Sequence, residues 1–243
     1  DFCQVKGQFA AKRAMEIAAA GSHNILMIGP PGGGKTMLAR CLPTILPDLT
    51  VAEALETTKI HSVAGVLDED KGIIVNRPFR APHHTGSKIA LTGGGISAKP
   101  GEISLAHNGV LFMDELLDRI DLHIEVDNVT YGDLSSKESG ESSSEIKKRV
   151  DNARNIQLKR FEGTGVYSNS RMNNAMVNEF CKLTPECERI LKLAFERLGM
   201  SARAYNRILK VARTIADLED EENILPSHIT EAVGYRSLDR RIK

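Results

Sequence analysis

Apolar positions recur along the chain with two different periods. Ala10, Ala11, Ala14, Met15 and Ala18 return at helical spacing and stop at Gly21. The continuous apolar run Ile25 to Ile28 follows, so the pattern predicts a helix and then a buried strand. Two more apolar runs, Gly109 to Met113 and Leu122 to Val126, predict further strands, and Met37 to Leu42 a short helix. Strands alternating with helices imply a parallel sheet covered on both faces, an α/β fold. Beyond residue 144 the period is helical throughout. Glu145 to Phe161 reads as one long helix. Thr184 and Pro185 open a second, striped by Ile190, Leu191, Ala194 and Leu198. Ser201 caps a third, with Ala204, Ile208, Val211, Ala212, Ile215 and Leu218 on one face. A last helix follows Pro226 and Ser227 through Val233.

Two stretches break this order. Residues 65–104 are rich in Gly, Pro and His and weakly periodic, which predicts an inserted hairpin or functional loop. Residues 127–144 turn polar and Ser-rich, the composition of a linker. The predicted organisation is therefore a nucleotide-type α/β domain over 1–126, a linker over 127–144 and a helical domain over 145–243. One spacing is too short. Parallel neighbours in a sheet need a crossover of a dozen or more residues, yet only Leu116 to Asp121 separates the end of the second strand from the third. Either the two are not parallel neighbours, or a segment after Glu115 is missing; the second reading is preferred.

Thirty-two basic and thirty-two acidic residues cancel, so overall charge neither demands nor excludes a nucleic-acid partner. Cys3, Cys41, Cys181 and Cys187 form no C-x-x-C pair, and three of them fall in apolar or helical settings typical of reduced intracellular thiols. No apolar run approaches the length of a membrane span. The chain starts at Asp1 rather than Met, and the expectation is a cytoplasmic piece of a longer protein.

The chemistry begins directly after the first strand. Gly29, Pro30, Pro31, Gly32, Gly33, Gly34, Lys35 and Thr36 match G-x-x-x-x-G-K-[ST] in full and run into Met37 and a helix. A strand, a glycine-rich turn and a helix in that order cradle a polyphosphate on backbone N–H groups. Lys35 is expected on the β- and γ-phosphates and Thr36 on Mg²⁺. Asp114 and Glu115 close the second strand, Asp114 suited to Mg²⁺ and Glu115 to polarising the attacking water. The expected ligands are thus ATP and Mg²⁺, and the expected reaction is hydrolysis. Two arginines could steady charge on the γ-phosphate. Arg119 lies just before the third strand, where it could reach a neighbouring subunit's site, and Arg203 sits in the first turn of a helix, against its dipole. Adjacent His83 and His84 point apart in extended chain and no Cys partners follow, so with His61 or His107 they suggest a structural or substrate-facing loop before a zinc site. The basic helix from Lys147 to Arg160 carries Glu145 and Asp151 among its cations and reads as a solvated face. Nucleic-acid contact is open there, and more so around Lys88 and Lys99.

These segments resemble the magnesium-chelatase-like AAA+ ATPases of the YifB/ComM group. The likeness lies in Val5 to Gln8, Asn24 to Thr36, Phe79 to Thr85, Pro100 to His107, Gly109 to Glu115, Leu117 to Val126, Ser201 to Leu209 and Tyr235 to Arg240. The resemblance covers nearly the whole chain. It implies a P-loop AAA+ sheet sandwiched by helices, with a helical lid. Val5 and Gln8 would flank adenine, Asp114 and Glu115 would form the Walker B pair, Arg119 the arginine finger acting across subunits and Arg203 the second sensor. It further implies a ring, hexameric by expectation, that remodels DNA. The rivals are a magnesium chelatase subunit and a nucleotide-gated scaffold with little turnover. Where the family carries several dozen residues between Walker B and Leu117, including a sensor strand, this chain has none.

Overall fold

A computed structural model of the chain describes residues 1–67, 72–82, 87–94, 98–113, 120–127, 140–198 and 200–236. It forms two compact units, Asp1–Ile45 with Leu117–Lys243, and Leu46–Leu116.

In the first unit α1 (Phe9–Gly21) leads into β1 (Ile25–Ile28), the P-loop and α2 (Lys35–Cys41). β6 (Leu122–Glu125) returns from far along the sequence and pairs with β1 in parallel, Ile25 opposite Leu122 and Ile28 opposite Glu125. The C-terminal helices are α6 (Ser143–Arg160), α7 (Asn174–Phe180), α8 (Pro185–Leu198), α9 (Ala202–Leu218) and α10 (Pro226–Gly234). Their starts follow local chemistry. Ser142 and Glu145 form a reciprocal capping box at α6, and the Ser201 hydroxyl accepts from the Ala204 N–H at α9, each satisfying backbone donors that a helix start leaves orphaned.

Helix α1 is the hub, packing against α6, α9 and β6. Its small residues Ala11, Ala14, Ala18 and Ala19 let these backbones approach, while Met15, Ile17, Leu38, Leu122, Val150, Ile208, Val211 and Ile215 fill the interior. All six positions of the predicted α9 stripe are buried. The α8 stripe is shallower, with Leu191 buried and Ile190, Ala194 and Leu198 half-buried. The long basic helix is not a solvated face on its arginine side. Arg149 reaches Glu16 and Glu141, Arg154 donates to the Ala19 carbonyl, and Arg160 pairs with buried Asp217. Lys148 and Lys159 are the exposed cations of that helix.

In the second unit α3 (Val51–Ala64), with a Thr50/Glu53 capping box, accompanies β2 (Phe79–Arg80), α4 (Lys88–Thr92), β3 (Gly93–Gly94), β4 (Lys99–Pro100), α5 (Glu102–Leu105) and β5 (Val110–Leu111). β2 and β5 are parallel, and β3 and β4 form the antiparallel pair of a small hairpin. That hairpin depends on glycine. A Cβ on Gly101 would lie 2.2 Å from the Gly93 nitrogen, and Gly93 itself has a φ of +82°. β5 thus pairs with β2 and β6 with β1, so the short connection between β5 and β6 never joins neighbours of one pair.

Candidate functional site

The P-loop sits where the sequence puts it, between β1 and α2, and its glycines have separable duties. Gly32 and Gly34 adopt φ of +83° and +87°, and a Cβ on either would meet nothing within 4 Å. Backbone conformation therefore demands glycine there, and the space before them is open. Gly29 is needed for close approach instead: a Cβ there would lie 2.1 Å from the Val126 carbonyl oxygen. Gly33 is buried against the carbonyls of Pro30 and Val126. The backbone just past β6 thus forms the floor of the loop, a role for Val126 and Asp127 that no side-chain pattern announces.

Lys35 folds over this turn, its Nζ donating to the carbonyls of Gly29 and Pro30 at 2.8 Å each. Both bonds are to neutral acceptors, which an anion with stronger acceptor oxygens would replace. Thr36 and Met37 are exposed on the first turn of α2, beside Lys35. A glycine-dependent turn with open space before it, one cation held only by carbonyls and an exposed hydroxyl next to it fit a nucleotide phosphate chain and its Mg²⁺.

The N-terminal segment is tied to the same place. Gln8, in left-handed conformation at φ +54°, donates from Nε2 to the Asp127 carbonyl at 2.6 Å. Val5 is buried, and its carbonyl accepts from Lys12 Nζ at 2.6 Å. Burial pushes the Lys12 ammonium below its ordinary value. The structure therefore brings Gln8 and the loop residues to one stretch of backbone just past β6. Arg203 is exposed in the first turn of α9 and makes no hydrogen bond or ion pair among the described residues. Asp114, Glu115 and Arg119 lie outside the described residues, as do His83 and His84. His61 is engaged with the Leu105 carbonyl at 2.9 Å and His107 with Glu56 at 3.3 Å. Among the described residues no group of three or more His, Cys, Asp or Glu is arranged to hold a metal, and no helix is long and apolar enough to cross a membrane.

The β6 entry carries a polar cluster that sequence inspection does not single out. The Asp121 carboxylate takes the Asn24 N–H at 3.3 Å and lies 3.4 Å from Arg207 Nε. Burial would raise the Asp121 carboxyl, but His23, the Asn24 N–H and Arg207 together hold it below the usual carboxylate range. Arg207 and Arg236 both donate to the Ile120 carbonyl, at 3.0 and 2.6 Å.

Comparison with known proteins shows the family. The family model for magnesium chelatase, subunit ChlI, matches residues 1–118, and that for its C-terminal part matches residues 140–236. The chain belongs to the magnesium-chelatase-like family. Within it the similarity runs to the YifB/ComM group. The chain is 37% identical to competence protein ComM of Haemophilus influenzae over 317 residues, covering 100% of this chain and 61% of that protein. It is equally 37% identical to the uncharacterized protein YifB of Escherichia coli, over 99% of this chain and 61% of YifB. An uncharacterized protein of Mycobacterium tuberculosis is 31% identical over 99% of this chain. The chain thus spans about three fifths of the length of these relatives. The ComM alignment runs over 317 positions against 243 residues here, which leaves 74 positions without a counterpart in this chain.

Proposed function

We propose that this chain is the ATP-binding and ATP-hydrolysing module of an AAA+ motor that works as a ring, hexameric in the simplest arrangement, on DNA. One observation carries the reading: the P-loop has glycines at its two left-handed positions and Lys35 parked on two carbonyls beside an exposed Thr36. In this reading Gly29 to Met37 hold the phosphates, Val5 and Gln8 lie against the base, and Thr36 with Asp114 holds Mg²⁺. Bound MgATP supplies the phosphoryl group and the charge that activates it. Lys35 neutralises the phosphate oxygens, and Glu115 orients the attacking water. Arg119 reaches the site of the adjoining subunit, and Arg203 approaches from α9 when that helix closes. The domain plan is a P-loop domain over 1–126 and a helical lid over 145–243, in a cytoplasmic protein. The 74 positions without a counterpart support an absent segment between Glu115 and Leu117.

DNA as the substrate rests on the similarity to a competence protein. The chelatase reading rests on the family models. ATP turnover with and without single-stranded and branched DNA, beside Lys35→Ala, separates them. Turnover stimulated by DNA and abolished in Lys35→Ala is expected. Turnover indifferent to DNA favours a chelatase-type subunit, and binding without turnover a scaffold. Binding that weakens steeply with salt would mark phosphate contacts.

A further inference from the structure

Two residues before β1, His23 is buried between the strand that feeds the P-loop and the middle of α9. Its Nε2 is 2.8 Å from the Thr214 hydroxyl. Gly21 makes this approach possible, since a Cβ there would lie 2.3 Å from the His23 ring and 2.6 Å from Thr214 Oγ1. Thr214 in turn receives the Asn169 amide at 3.1 Å, and the second Asn169 bond goes to Asp217 at 2.7 Å. On the other side of the ring, Nδ1 has no hydrogen-bond partner among the described residues, although Asp121 Oδ2 stands 3.5 Å away. The charged groups around this point are Asp121, Arg207 against its other oxygen, and Lys210, whose ammonium burial pushes down.

A buried nitrogen without a partner beside an ionised carboxylate is a contact left open. Closing it to ordinary hydrogen-bond length needs a movement of about 0.5 Å. The residues that would move it all belong to α9 or to the β6 entry. Arg207 and Thr214 of α9 grip the same end of the β1–β6 pair, through Asp121 and the Ile120 carbonyl on one side and through the His23 ring on the other. Proton bookkeeping permits the closure. The Thr214 hydroxyl can donate to His23 Nε2 while accepting from Asn169, which leaves the single N–H of a neutral ring at Nδ1, facing Asp121. In the other arrangement Thr214 donates to the Lys210 carbonyl, 2.9 Å away, and His23 donates through Nε2.

We propose that His23 is a positioning residue that couples the seat of α9 to the P-loop strand: nucleotide engagement draws α9 onto the β1–β6 entry and closes the Nδ1–H···Asp121 bond, with Thr214 as its partner on α9. The inference rests on the ATP reading above and adds to it a path, through one ring, from the helix that carries Arg203 to the strand that carries the phosphate loop.

The test reads the ring directly. Histidine-selective ¹⁵N spectra of the wild-type chain, with His23 assigned by its loss in His23→Gln, are recorded with and without a non-hydrolysable MgATP analogue, alongside calorimetric binding of that analogue. The expected result is a His23 Nδ1 that becomes the protonated, hydrogen-bonded nitrogen on binding and does not change in Lys35→Ala. In turnover assays Thr214→Val should lower kcat about tenfold with KM moved less than about twofold, within the usual span of coupling between sites, and Thr214→Ser should restore it. Binding of the analogue with unmoved His23 signals and an unchanged kcat in Thr214→Val overturns the coupling and leaves the ATP site standing. Absence of analogue binding overturns both.

Discussion

The two units of this chain solve the problem of stability differently. In the first, apolar side chains and mutually satisfied polar groups are buried together. Asp217 is fully buried, accepts from Arg160 and Asn169, and lies 3.1 Å from Arg213 Nε. The second unit has a thin interior, represented by Ala54, Thr57, Ala64, Leu105 and Ala106, while Val51, Val63, Val75 and Ile89 are exposed. Arginine fans stitch it instead. Arg77 donates to the carbonyls of Pro47 and Asn108 at 2.5 and 2.7 Å, and Arg80 grips Glu102 through two bonds of 2.6 Å. The contrast separates a densely packed frame, which carries the glycine-rich turn, from a loop-rich module with several exposed apolar side chains. Local stability follows buried contact density, so the second unit should open first.

Substitutions that break the frame should cost most. Asp217→Ala leaves Arg160 and Arg213 facing an empty carboxylate site, and a loss of about 3–5 kcal/mol is expected in chemical denaturation. A loss under about 1 kcal/mol would erase the distinction between the units. Glu102→Ala removes a bidentate but partly exposed pair from the second unit. Its expected cost is about 1 kcal/mol, seen as faster amide exchange around Gly93 and Lys99 with the first unit unmoved.

Acid sharpens the same comparison. The folded carboxyls of Asp121 and Glu102 both lie below the ordinary range, Asp121 despite burial and Glu102 through its hydrogen bonds to Arg80. The stability each contributes is present above the unfolded-state value and is lost as pH falls through the lowered folded value. The acid limb of unfolding should therefore flatten in Asp121→Asn, and a limb of unchanged slope would remove Asp121 from the account. The smallest effect is chemical. Burial pushes the Cys181 thiol up to about 12, while Cys3 is half-buried. Brief alkylation of the native chain should label Cys3 and spare Cys181.

How much of this was legible in the sequence depended on the range of the interaction. The P-loop, the Ser201 cap and the α9 stripe are local patterns, and each lies where its spacing indicates. The pairing of β6 with β1 is long-range, and nothing in Leu122 to Val126 names its partner. The arginines of α6 read as a solvated face because their acceptors, Glu16, Ala19 and Asp217, come from α1 and α9. His23 and Thr214 are similarly silent in sequence, although a glycine at position 21 beside a lone histidine hints at a close approach. Asp217, two residues after Ile215 near the end of an apolar stripe, is itself a sequence signal of a buried polar network.

The central claim is that residues 29–37 hold a nucleotide through Lys35. Calorimetric titration of MgATP into the wild-type chain and into Lys35→Ala tests it most directly. The account predicts saturable one-site binding by the wild type, weakened about tenfold or more when the ammonium is removed. Equal binding by the two proteins, or none by either, would contradict it.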